Sequence, residues 1–97
     1  MPEIIRASSD ELRFLVASCN QTAKELESVL SRVGEINERM EQVWGGTAAS
    51  KTCEQITDQI RSAKQLYQLL YSTATQLEET AQKYDTAEQE LIRSFYD

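Results

Sequence analysis

From Leu12 onward, apolar residues return at every seventh position. One column is Leu12, Cys19, Leu26, Val33 and Met40. A second is Leu15, Thr22, Val29, Ile36 and Val43, broken only by Thr22. Chance rarely sustains a heptad pattern for five repeats, so it predicts one long amphipathic helix over about 8–44. Ser8-Ser9-Asp10-Glu11 has the form of a capping box, in which the Ser8 hydroxyl accepts from the Glu11 amide. Asp10 and Glu11 also place negative charge at the positive end of the helix dipole.

The second half repeats the pattern over about 48–92, with a short C-terminal tail after it. Its columns are Cys53, Ile60, Tyr67, Ala74 and Ala81, and Ala49, Ile56, Ala63, Leu70, Leu77, Tyr84 and Leu91. Ala63, Ala74 and Ala81 leave room for a partner helix to come close. Between the halves, Trp44-Gly45-Gly46-Thr47 predicts a turn over 45–47, with Thr47 capping the second helix. Helices joined by so short a loop are antiparallel neighbours. The expected fold is all-α: a single helical-hairpin domain over 1–97, with arms about 55–65 Å long.

Pairing reflects about the turn, so residue 19 is expected to face about residue 72. Cys19 and Cys53 then lie too far apart for a disulfide, which needs Cα atoms within about 7 Å. Both read as small apolar core positions. Gly34 falls on the outer face, either permitting a bend or close contact or standing as a tolerated surface glycine. The two columns of each helix do not use up the apolar residues. Phe14, Val16, Leu30 and Trp44 remain on the first helix, and Leu66, Leu69 and Tyr71 on the second. A leftover band of this size marks an interface. It predicts that two hairpins pair into a four-helix bundle through Val16, Leu30, Leu66, Leu69 and Tyr71. A helical segment of a larger protein is the other partner that the band could accept.

Composition narrows the function. The 97 residues include one proline, three glycines and no histidine, and the formal net charge is −6. The acidic balance argues against nucleic acid and anionic membrane as partners. Without histidine, the commonest general base, the commonest metal ligand and every His-dependent triad are gone. No phosphate-cradling glycine loop or G-x-S-x-G elbow occurs, and Glu35, Glu38 and Glu41 have the spacing of a solvated acidic face. The expectation is a non-enzymatic protein with no cofactor, no metal and no small-molecule ligand. The N-terminus has no apolar stretch long enough for a signal-peptide core, and no segment approaches the roughly 20 apolar residues that span a bilayer. Synthesis in the cytosol is expected, with any export taking a route that needs no cleaved leader.

Three motifs together resemble the WXG, or ESAT-like, family of small secreted proteins. They are Trp44-Gly45-Gly46 at the central turn, Ser9-Asp10-Glu11-Leu12-Arg13 at the opening, and Tyr84-Asp85-Thr86-Ala87-Glu88 near the C-terminus. The last fits the family's Tyr-x-x-x-Asp/Glu export signal, which puts Tyr84 and Glu88 in that role. The resemblance covers the whole chain. It implies export by the type VII (ESX-like) system of a Gram-positive or mycobacterial cell, with a membrane ATPase as reader of the signal. It also implies dimeric four-helix bundles, some of which act as carriers or chaperones for toxins. Taken without the family, Tyr84 reads equally as a core aromatic and Glu88 as a solvated acid. A cytosolic coiled-coil adaptor unrelated to secretion explains the heptads as well, but leaves the turn and the Tyr84/Glu88 pairing as coincidence. A homodimer is the preferred pairing, since head-to-tail packing separates the acidic C-terminal ends. A heterodimer with a sister protein or a toxin helix stays open.

Overall fold

The computed structural model describes the backbone of residues 2–96 and the side chains of residues 9–96. Two helices account for nearly all of it: α1 over Pro2–Val43 and α2 over Thr47–Tyr96, forming a helical hairpin. Helix α1 begins six residues before the predicted cap. Proline suits a first helical position, because an amide there has no intrahelical acceptor to lose. Ser8 and Glu11 therefore stand inside a continuous helix whose amides already have acceptors one turn back. There is no helix end there for a capping box to close; the Ser8 side chain itself lies outside the described residues. Helix α2 likewise runs past the predicted end near Ile92, taking most of the expected tail into the helix.

The reversal falls on Trp44–Gly46, one residue earlier than predicted. The Trp44 amide donates to the Met40 carbonyl at 2.9 Å and closes α1. Gly45 (φ +44°) and Gly46 (φ +96°) then take the left-handed backbone that only glycine adopts freely. The Ser50 amide donates to the Gly46 carbonyl at 3.1 Å, so Gly46 rather than Thr47 holds the N-cap position. The two glycines complete the reversal, and Thr47 is already helical.

The hairpin comprises two compact units, Thr22–Leu69 around the turn and Met1–Gln21 with Leu70–Asp97. In the turn unit, Ala23, Asn37, Ala49 and Cys53 are buried, with Leu26, Leu30, Val33, Met40, Ile56, Ile60, Ala63 and Tyr67 half-buried. The other unit buries Ser9, Ala74 and Ala81, flanked by half-buried Leu12, Val16, Cys19, Leu70, Leu77 and Leu91. Both α2 columns face inward as predicted except at Tyr84, which is exposed.

Helix α1 corrects the prediction. Its first column faces inward, but Leu15, Val29, Ile36 and Val43 are exposed. Ser9, Val16, Ala23, Leu30 and Asn37 take their place. The column beside it, with Val16, Ala23 and Leu30, is also largely apolar, and periodicity alone cannot choose between the two. Close approach can: Ser9 is small enough to reach the Ala81 carbonyl, Ala23 is fully buried, and Asn37 finds hydrogen-bond partners on α2. Both cysteines are free, Cys53 buried and Cys19 half-buried.

Candidate protein-contact sites

Three surfaces stand out, each inside one unit. At the turn, the Trp44 side chain is 51% exposed although the glycine pair beside it determines the path of the chain. Next to it, Val29, Ile36 and Val43 recur every seven residues as an exposed apolar stripe on α1. On α2 of the same unit, Leu66 and Leu69 are 56% and 61% exposed. Of the other residues assigned from sequence to a dimer contact, Val16, Leu30 and Tyr71 are half-buried in their own units. Val16 and Leu30 belong to the inward column of α1, so pairing within the hairpin already uses their surface.

The second surface is the C-terminal part of α2. Tyr84 is 41% exposed and Glu88, one turn on, is half-buried. Residues four apart share a helical face, so both can meet one partner. Pairing continues past Tyr84, since Glu88 and Leu91 remain partly covered within a continuous helix. Ile92, Phe95 and Tyr96 are exposed beyond them.

Between Tyr84 and Glu88 lies the third feature, a closed polar ring. Asp85 Oδ2 accepts from Arg13 Nη2 at 2.6 Å. The Ser9 hydroxyl donates to Asp85 Oδ1 at 2.7 Å and accepts from Arg13 Nη1 at 3.1 Å. Glu78 Oε1 stands 3.6 Å from Arg13 Nε, and the Ala81 carbonyl 3.4 Å from Ser9 Oγ. The Asp85 hydrogen bond, opposed by desolvation and aided by the charges of Asp85 and Glu78, pushes the Arg13 guanidinium above its ordinary pKa. Sequence reasoning placed Ser9 in a cap and gave Arg13 and Asp85 no partners. The available signal was that Ser9 and Arg13 are one turn apart on the inward side of α1.

The turn unit has its own buried polar contact. Asn37 Nδ2 donates to the Cys53 carbonyl and to Thr57 Oγ1, each at 3.2 Å. Burial, and secondarily the charge of Glu41, pushes the Cys53 thiol upward. Among the described residues no group of His, Cys, Asp and Glu side chains is placed to hold a metal ion, and no helix is long and apolar enough to cross a membrane.

These features define a small helical-hairpin protein with a Trp-Gly-Gly reversal and apolar surface on its outer faces. The family described as proteins of 100 residues with WXG (WXG100) matches residues 4–89, and the chain belongs to it. This is the ESAT-like family of type VII secretion substrates, whose members are in general non-enzymatic secreted proteins that pair with one another. No curated protein and no solved structure matched the chain.

Proposed function

We propose that this chain, acting as one hairpin domain, is exported by a type VII (ESX-like) secretion system and works as a secreted effector or carrier through helix pairing. The supporting observation is that one family match spans both the Trp44-Gly45-Gly46 reversal and the Tyr84/Glu88 face. In this reading a second copy covers the outer apolar faces, giving a four-helix bundle. Leu66 and Leu69 supply that seam from α2, with Val29 and Ile36 supplying it from α1 where Val16 and Leu30 turn inward. Packed head to tail, each copy sets its turn beside its partner's C-terminal segment and separates the acidic ends of two −6 chains. The membrane ATPase of the system then reads Tyr84 and Glu88.

The test compares cytosolic and extracellular protein for wild type, Tyr84→Ala and Glu88→Ala in a strain with an intact secretion ATPase. Removing a partly covered carboxylate leaves folding intact or slightly improved, and a thermal melt controls for packing lost at Tyr84. Folded variants that stay inside the cell support the reading. Export of both at the wild-type level refutes the signal assignment and favours an adaptor role.

A further inference from the structure

We propose that Arg13 and Ser9 are positioning residues for the C-terminal recognition segment: their ring with Asp85 sets the rotation of α2, so that Tyr84 and Glu88 meet an export receptor as one prefolded helical face. The inference rests on the reading of Tyr84 and Glu88 as the export signal.

Asp85 sits directly after Tyr84 and three residues before Glu88, so whatever holds Asp85 orients both. The hold is directional. Both carboxylate oxygens of Asp85 are engaged, one by Arg13 Nη2 at 2.6 Å and one by the Ser9 hydroxyl at 2.7 Å. Arg13 Nη1 closes the ring on Ser9 at 3.1 Å. A planar guanidinium that meets the carboxylate directly at Nη2 and through the Ser9 hydroxyl at Nη1 resists rotation in a way that a single point charge does not.

Packing supplies part of that restraint, through the half-buried Leu70, Leu77 and Leu91. The buried α2 residues of this unit are Ala74 and Ala81, whose methyl groups interlock weakly with an opposing helix. An alanine face permits close approach but leaves rotation about the helix axis loosely determined. The ring adds the missing direction where the signal lies. Arg13 and Asp85 keep 40% and 37% side-chain exposure, a setting in which an ion pair contributes little to global stability. Its effect is therefore expected in local order rather than in the melting temperature. A receptor that binds an already ordered helix avoids the entropy of ordering it.

The experiment uses the full chain with Arg13→Gln, Asp85→Asn and Arg13→Lys, beside Glu88→Ala. Lysine keeps the charge but cannot bond Ser9 and Asp85 together in one plane. Three quantities are measured: the melting midpoint, amide exchange over residues 84–88, and the ratio of extracellular to cytosolic protein. The expected result is near-wild-type melting, with exchange at 84–88 faster and the exported fraction lower by about fivefold each. Wild-type export of folded Arg13→Gln and Asp85→Asn, with Glu88→Ala retained in the cell, overturns the positioning role and leaves the signal standing. Export of Glu88→Ala itself overturns the signal first. If Arg13→Gln unfolds at growth temperature, Arg13→Lys decides: wild-type export of that variant overturns the proposal.

Discussion

Asn37 and Cys53 hold one another at two points. The Asn37 side-chain amide donates to the Cys53 carbonyl at 3.2 Å, and the Cys53 thiol lies 3.7 Å from the Asn37 carbonyl. Asn37 stands four heptads after Ser9 on α1, and Cys53 four heptads before Ala81 on α2. Each unit thus carries one buried polar contact at an equivalent register, Ser9 beside Ala81 and Asn37 beside Cys53. A buried asparagine in a helical seam specifies register at some cost in stability.

That cost is measurable. Asn37 Oδ1 is buried with no hydrogen-bond partner among the described residues. Leucine is nearly isosteric, and the Cys53 carbonyl keeps the Thr57 hydroxyl at 2.9 Å. Asn37→Leu is expected to raise stability by about 1 kcal/mol in denaturant unfolding, since it removes an unsatisfied polar atom without creating another. A loss of that size shows that the amide contributes more than register.

The two thiols should separate kinetically. Cys19 is half-buried and Cys53 is buried with its thiol pushed up, so an aromatic disulfide reagent should modify Cys19 first under native conditions. Denatured without reductant, the protein should titrate as two free thiols. Equal native rates would show that the turn unit opens readily.

The raised Cys53 thiol also carries a pH dependence. Because the folded state binds this proton more tightly, its contribution to stability is complete below the ordinary thiol pKa of about 8.5 and is lost as pH rises toward the folded value. The stability gap between wild type and Cys53→Ala should therefore narrow between about pH 8 and about pH 10. A constant gap over that range removes Cys53 from the alkaline limb.

Glycines at three positions should respond in opposite directions. A Cβ at Gly34 meets nothing within 4 Å, so Gly34→Ala is expected to stabilise α1 by about 1 kcal/mol. At Gly46 the space is equally open but φ is +96°, so Gly46→Ala should destabilise by about 1–2 kcal/mol. Gly45, at φ +44°, should fall between them. Thermal unfolding of the three variants gives the order directly.

The proposed pairing predicts a particle near twice the 11.1 kDa chain mass in light scattering. Replacing Ile36, Leu66 and Leu69 together by polar residues should give monomers that remain helical. These side chains are exposed in the hairpin, so their loss removes little of its own packing. Dimers that survive the triple change place the seam elsewhere.

The residues themselves determined the hairpin: heptads on both sides of a glycine pair require two helices and a reversal, and almost nothing else in the chain interrupts helix. They also determined the inward columns of α2, where alanine and cysteine recur at the heptad spacing. Which α1 column faces inward was decided only in three dimensions. Val29 and Ile36 are more hydrophobic than Ala23 and Asn37, yet they lie outside, because close-packed helices select small side chains and satisfied polar ones over large ones. The helix ends were likewise beyond local reading, since Ser8-Ser9-Asp10-Glu11 has the form of a cap while α1 simply continues through it. The Ser9–Arg13–Asp85 ring is the clearest case. Asp85 is separated from Ser9 and Arg13 by most of the chain, and only the antiparallel fold brings the serine, the arginine and the aspartate to one point beside Tyr84.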